Sequence, residues 1–482
     1  MNFNLGFYAT TRNKSSKADI LKIYDEIKDE HMKINRFMIA APKSGSGKTM
    51  ITCALLQLLK DSGKNVSSYK CGPDYIDPMF HSRVIGTKSR NLDSFFAKED
   101  TLRYLLEKNA RDCEISVIEG VMGYYDGLAG ISPKASAYDV ARITNTPAVL
   151  IVNAKGMSLS AAAFVKGFVE YREDSQIRGV ILNQISPMMY PRLKQIIEET
   201  LPVKVYGYVP VVKDCVLESR HLGLVMPEEI ADLHDKLMKL AEILERSVDI
   251  DGLLELADGA EELPVQEPLT GYHTKRTVRI ALAKDEAFCF FYQDNLELLE
   301  EMGAQLIPFS PIHDEKLPEN IDGMLFHGGY PELYAKALSE NKKMLTSVRE
   351  AVQAGIPYMA ECGGFMYLHQ EMEDMEGHSW PMAGVIPGKS WRTPRLTRFG
   401  YITLEDGTCF GKNVGGIRAH EFHYFDSDNC GESYTARKPL SSRSWNCIHS
   451  DRQGMSGFPH MYYYSNLQVP EQFLRTCEER KA

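Results

Sequence analysis

This sequence predicts two consecutive α/β units, each built on a mostly parallel sheet. Three features carry that expectation. Continuous apolar runs alternate with helical periodicity twice along the chain, the pattern of parallel strands covered on both faces. The first alternation opens with a strand, a glycine-rich loop and a helix. The second contains a strand, a cysteine among small residues and another helix.

A chain of 482 residues accommodates two such units, and a hydrophobic content of 44% rules out disorder throughout. The net charge of −10 argues against nucleic-acid binding by bulk electrostatics, although local Lys and Arg can still hold an anionic substrate. Ten cysteines run from Cys53 to Cys477 without a C-x-x-C pair, so neither a disulfide scaffold nor a zinc ribbon is expected. No apolar run approaches the ~18 residues that span a bilayer, and the first residues lack the apolar core of a secretory signal. The expectation is a cytoplasmic protein with neither a membrane nor a nucleic-acid partner.

Taken in order, residues 1–35 read as a polar extension whose amphipathic stretch ADILKIYDEIKDEHMKI ends it in a helix. Residues 36–245 form the first unit. RFMIAAP is its first strand and TMITCALLQLLKDSG its first helix; VSSYK, ISVIEG, AVLIVNA, RGVILNQI and KVYGYVP supply further strands. Residues 246–276 are acidic, then Pro- and Gly-containing, and read as a linker. Residues 277–470 form the second unit. TVRIALAK is a strand, NLELLEEMG a helix closed by Gly303, and AQLIPFS, GMLFHGG and IPYMAECGG are further strands, followed by a tail of short β-prone pieces.

The glycine-rich loop is Lys43-Ser44-Gly45-Ser46-Gly47-Lys48-Thr49. Between a strand and a helix, its backbone N–H groups converge on phosphate oxygens and the helix N-terminus adds positive charge. Lys48 would reach the β- and γ-phosphates, and the Thr49 hydroxyl would bind Mg²⁺. Pro42 stands where the common pattern has its first glycine, and the K-x-G-x-G-K-T arrangement resembles the variant loop of dethiobiotin-synthetase-like ATPases. Glu119, at the end of ISVIEG, points into the crevice where α/β sheets bind ligands and reads as the Mg²⁺ carboxylate. Asp74 and Asp77 are either further crevice carboxylates or turn caps beside Pro73 and Pro78.

Ala360-Glu361-Cys362-Gly363-Gly364 parallels the strand–turn–helix elbow that presents a nucleophile, and a helix N-terminus there would favour the thiolate. His327-Gly328-Gly329 offers backbone N–H groups to an oxyanion. A cysteine nucleophile needs a base. His460, His420 and His423 are the candidates, and spacing does not choose among them.

Taken together, RFMIAAPKSGSGKT, YKCGPDYIDPMFH, NLDSFF, IEGVMGYYDG, ESRHLGL, FHGGYPELYAKALSENK, AECGGFMYL and RAHEFHYF resemble the cobyrinate a,c-diamide synthase family over residues 36–470. The resemblance implies a dethiobiotin-synthetase-like ATP domain joined to a flavodoxin-like, class I glutamine amidotransferase domain. It implies amidation of the a- and c-acetates of a tetrapyrrole polycarboxylate, cobyrinate, with glutamine, ATP and Mg²⁺. Cys362 would be the glutaminase nucleophile and His460 its base, with Gly329 and Gly363 forming the oxyanion hole. The superfamily usually places Glu two residues after that His, where this chain has Tyr462.

Arg220 and His221 of ESRHLGL are candidates to bind the acid substrate, as are Arg395 and Arg398, which read equally as solvated surface charges. A homodimer is compatible. Two alternatives stand beside this reading. One is the same chemistry on nickel-sirohydrochlorin; the other is a P-loop switch ATPase with a non-catalytic second domain.

Overall fold

A computed structural model describes residues 31–212, 233–264 and 271–480. In the N-terminal half, His31–Met32 is a short strand β1. It is followed by β2 (Arg36–Ala40), β3 (Val66–Cys71), β4 (Lys88–Leu92), β5 (Ile115–Glu119), β6 (Ala148–Asn153), β7 (Ile177–Asn183) and β8 (Lys204–Val209). Strands β2 to β8 form one sheet in the order β4-β3-β5-β2-β6-β7-β8, and every pairing in it is parallel. Helices cover both faces, as continuous apolar strands require. On one face Phe37, Ile39, Val117 and Ile151 pack against Leu55 of the helix Lys48–Asp61 and Leu240 of the helix Leu233–Ser247.

Two expectations are corrected here. The stretch read as a linker is largely folded. Residues Ile250–Asp258 form a helix capped by the Asp249 carboxylate, with Leu253 and Ala257 buried against the sheet. Leu263–Pro264 then form β9, which pairs antiparallel with β1. The same pairing makes His31–Met32 a strand and not the end of a helix, while residues 1–30, where the rest of that helix is expected, lie outside the described residues. The acidic residues that suggested a linker form the solvated side of the helix 250–258, whose Leu residues supply the buried side.

In the C-terminal half, β10 (Val278–Ala283), β11 (Ala304–Phe309), β12 (Gly323–Phe326) and β13 (Tyr358–Glu361) are joined in one sheet by a much later strand, Gly454–Gly457. The parallel order β11-β10-β12-β13-(454–457) is the flavodoxin arrangement, and antiparallel His449–Ser450 closes its edge. The β-prone tail folds back as two further sheets. In the larger of these, β14 (Ile417–His423) pairs antiparallel with the strand His460–Met461, setting His420 opposite His460. Among the described residues, no helix is long and apolar enough to cross a membrane.

The two halves share a packed interface. Arg90 of β4 ion-pairs with Glu297, and its Nε lies 3.6 Å from buried Asp294. Lys108 pairs with Glu301 at 2.7 Å, and Asn109 donates to Asp294 at 3.0 Å. From the C-terminal half itself, the Tyr462 hydroxyl donates to the other oxygen of Asp294 at 3.2 Å. The Tyr401 hydroxyl donates across the seam to Asp93 at 2.7 Å.

Candidate active site

The loop 43–49 connects β2 to its helix. Gly47 has φ of 90°, a left-handed conformation, and a Cβ there would lie 2.4 Å from the Asn183 amide nitrogen. Asn183, at the end of β7, donates to the Ser46 carbonyl at 2.9 Å and buttresses the loop from two strands away in the sheet. Lys48 is nearly buried and donates to the Met122 carbonyl at 3.0 Å. Burial, and then the nearby Lys70 ammonium, push Lys48 down to about 8.

The Thr49 hydroxyl donates to Glu119 at 2.7 Å, and Lys70 donates to the same oxygen at 2.8 Å while also pairing with Asp77. Burial alone would raise the Glu119 carboxyl. Lys70, His81 and Lys48 outweigh it and hold the group well below the usual carboxylate range. Asp77 and Glu119 in turn hold Lys70 protonated against its own burial.

The donor set can be tested against Mg²⁺. Among the described residues, no group of three or more His, Cys, Asp or Glu stands ready to bind a metal unaided. Mg²⁺ bound beside a nucleotide takes only one or two protein oxygens, its other ligands being phosphates and waters. The Thr49 hydroxyl and Glu119 carboxylate are adjacent hard oxygens, and Glu119 Oε2 is sealed without a hydrogen bond. The residues fit that ion.

In the C-terminal half, β13 ends at Glu361, and the chain turns at Cys362 with φ of 48° and ψ of −104°. A non-glycine residue held there is strained, as in other nucleophile elbows. The Cys362 amide donates to the Gly457 carbonyl at 2.8 Å, anchoring the elbow to the neighbouring strand. Gly363 lies against the 327–331 turn, since a Cβ there would come within 2.8 Å of Pro331 and 3.2 Å of the Gly329 amide nitrogen. The two glycines expected to bind an oxyanion are therefore neighbours. Gly328 lies beneath His460, and a Cβ on it would sit 2.4 Å from the imidazole Cε1.

The electrostatics reverse one expectation. Burial above all, together with the Glu332, Glu421 and Glu361 carboxyls, pushes the Cys362 thiol up. The six-residue helix Gly363–Leu368 does not offset this. Burial, and then His420, His327 and His423, push His460 down. Burial thus favours the neutral form of both the Cys362 thiol and the His460 imidazole. His423 has a different environment: its ring is stacked on Phe458 at 4.1 Å, its Nδ1 donates to the Phe425 carbonyl at 2.6 Å, and its Nε2 lies 3.5 Å from Glu421. The Tyr292 hydroxyl hydrogen-bonds His420 Nδ1 at 3.1 Å.

The two sites meet at the loop after β3. Asp74 accepts from the amides of Ile76 and Asp77, so it caps this turn, and burial followed by Asp77 pushes it up to about 6. Asp77 pairs with Lys70 on the nucleotide side. Between them Tyr75 projects into the other half. Its ring stacks on Phe290 at 5.3 Å and lies 5.3 Å from the His460 ring.

Arg220 and His221 lie outside the described residues. Arg398 stacks on Trp445 at 4.9 Å and sits 3.9 Å from Glu421, while Arg395 is exposed. Asn183, Lys70, His81 and Tyr75 were not singled out from the sequence. Lys70, Tyr75 and His81 lie in or beside the YKCGPDYIDPMFH motif, which was the available signal.

Two family models match the chain: a CobQ/CobB/MinD/ParA nucleotide binding domain over residues 37–224 and a CobB/CobQ-like glutamine amidotransferase domain over residues 279–453. A protein of Caldanaerobacter subterraneus named cobyrinate a,c-diamide synthase is 41% identical, covering 92% of this chain and 98% of its own length. Proteins of the same name from Listeria innocua and Thermoplasma volcanium are 40% and 36% identical, covering 90% and 92% of this chain and 98% of their own lengths.

Proposed function

This chain belongs to the cobyrinate a,c-diamide synthase family, and from that premise we propose that it amidates the a- and c-acetates of cobyrinate with glutamine nitrogen and ATP energy. One observation carries the reading beyond the family name. Tyr75, in the loop that follows the buried Lys70 partner of Glu119, has its ring 5.3 Å from that of His460. The loop beside the nucleotide site thus packs against the histidine that faces the cysteine elbow's half.

At the elbow, the Cys362 thiol gives its proton to His460 as sulfur attacks the amide carbon of glutamine. The negative oxygen is met by the Gly329 and Gly363 amides. The C–N bond breaks, His460 returns the proton to the departing nitrogen, and ammonia leaves behind a γ-glutamyl thioester. Water hydrolyses the thioester to glutamate and restores the thiol. A neutral thiol at rest limits side reactions until glutamine fills the site.

In the N-terminal half, Lys48 and the loop amides of residues 43–49 hold the β- and γ-phosphates. A carboxylate is a poor acyl donor, and attack of its oxygen on the γ-phosphorus converts it to an acyl phosphate with a stable leaving group. Catalysis of that transfer is positioning and charge neutralisation. Thr49 and Glu119 would hold Mg²⁺, which would supply neutralising charge at the phosphates. Lys70 and His81 hold Glu119 ionised and oriented. Ammonia crossing the seam at Tyr75 attacks the acyl carbon and phosphate departs, and the cycle repeats on the second acetate. Free ammonia in water is mostly ammonium, so a short sheltered route keeps it nucleophilic.

The test is an ATP- and glutamine-dependent assay on cobyrinate, read by mass and loss of negative charge. Conversion to a diamide is expected. Turnover of nickel-sirohydrochlorin alone would transfer the same chemistry to another macrocycle. ATP hydrolysis with no glutamine consumption would favour a switch ATPase.

A further inference from the structure

We propose that Glu361, immediately before the nucleophile, is the positioning acid of the cysteine site, holding the Nδ1–H of His460 so that Nε2 serves the thiol. This rests on the glutaminase reading above. The position two residues beyond His460 cannot supply the acid, because it is Tyr462, whose hydroxyl is turned to Asp294.

The Glu361 side chain is 3% exposed, with Oε2 3.8 Å from His460 Nδ1. Its Oε1 accepts from the Met461 amide at 3.3 Å, so the carboxylate is fastened to the same short strand that carries the histidine. His460 Nδ1 is sealed without a hydrogen bond. The other titratable groups around the ring differ in kind. His420 is stacked nearly parallel at 4.9 Å, and Tyr75 lies 5.3 Å away. His327 shares the Glu361 carboxylate, with its Nδ1 at 3.7 Å, and His423 is stacked on Phe458 with its Nε2 3.5 Å from Glu421. Among the described residues, Glu361 is the carboxylate within 4 Å of a His460 nitrogen.

The strained φ of 48° at Cys362 accounts for the arrangement. In a regular strand, successive side chains point to opposite faces. The turn at Cys362 breaks that alternation and lets adjacent residues serve one cluster. When His460 takes the thiol proton, a carboxylate 3.8 Å from Nδ1 is drawn to hydrogen-bonding distance by the new charge. The proton on Nδ1 stays there; only the thiol proton moves, to Nε2 and then to ammonia.

The experiment compares the full chain with Glu361→Gln and Glu361→Asp. For Glu361→Gln, glutaminase kcat is expected to fall about 10²-fold or more, as when a histidine loses its orienting acid. KM for glutamine should stay within about twofold, and ammonia-dependent amidation should be unchanged. The acid limb of kcat/KM should move to lower pH, because the imidazolium loses its anion. Glu361→Asp should recover part of kcat and keep the limb in place, and it remains informative if the Gln variant does not fold. An unchanged kcat with an unmoved acid limb overturns the proposal. So does a parallel loss of glutaminase and ammonia-dependent activity with lowered Tm, which marks a packing role. Failure of the underlying reading looks different: a Cys362→Ala variant would hydrolyse glutamine as well as the parent.

Discussion

Gly328→Ala should disable nitrogen release while sparing synthesis from ammonia. Gly328 is the floor beneath the His460 imidazole, and a methyl there would lie 2.4 Å from Cε1 and 3.4 Å from each ring nitrogen. Real contacts of this kind begin near 3.4 Å, so the ring must withdraw by about 1 Å. Its retreat is opposed by His420 stacked at 4.9 Å and Tyr75 at 5.3 Å. Gly328 is not in the left-handed region, so alanine acts through this contact and not through the backbone. A misplacement of about 1 Å in a catalytic group costs about 10²-fold in rate, and overpacking of this size costs about 1–3 kcal/mol of stability. Glutaminase kcat should therefore drop about a hundredfold, with ammonia-dependent amidation as the internal control. A glutaminase rate within twofold of the parent would refute the placement of His460, and equal loss of both activities would refute the separation of the sites.

Other outcomes follow from the same geometry. Cys362→Ala should abolish glutamine-dependent amidation and leave ammonia-dependent amidation, measured by product formation with each nitrogen source. Lys48→Ala should abolish both, since each needs the acyl phosphate, and ATP consumption should cease with them. Tyr75→Leu removes the ring that bridges the halves, so the glutamine hydrolysed per amide formed should rise above parity. Acid should also weaken the C-terminal half. Buried His369 donates from Nδ1 to the Phe365 carbonyl and accepts at Nε2 from the Ser427 hydroxyl, and burial pushes it from 6.5 to about 4. The unfolded chain therefore binds this proton below about 6.5 and the native chain does not until about 4, so stability falls as pH drops through that window. At about 1.4 kcal/mol per unit the loss approaches about 3.5 kcal/mol. Urea unfolding at several pH values should show it, and His369→Gln should flatten the slope.

The nucleotide loop and the elbow were legible because both are local: strand, turn and helix are contiguous, and the residue types at the turn are dictated by φ and by the chemistry. Strand β4 was not legible. Lys88–Leu92 reads KSRNL, which has no apolar run, because it is the sheet's edge and its Arg90 points to Glu297 of the other half. The helix 250–258 was obscured by its acidic face, although Leu253 is buried on the other side. Asn183 and Glu361 were overlooked for a common reason. Each closes an apolar strand, and its partner, a loop or a histidine distant in the sequence, comes alongside only in the folded chain. The position of His460 likewise depends on β14 and the strand 460–461 lying in register, with His420 opposite His460, which spacing along the chain cannot express. The neutral state of the thiol is not legible because a helix terminus is visible in a sequence and the extent of burial around it is not.

Glutamine carrying heavy nitrogen in its amide, supplied with excess unlabelled ammonium, tests the division of labour most directly. If one half frees ammonia and delivers it across the seam to an acid energised by the other, the amides formed by the parent enzyme carry the heavy label almost undiluted. Those formed by Cys362→Ala then carry none. Product from the parent labelled only in the proportion found in solution, or labelled product from Cys362→Ala, would contradict it.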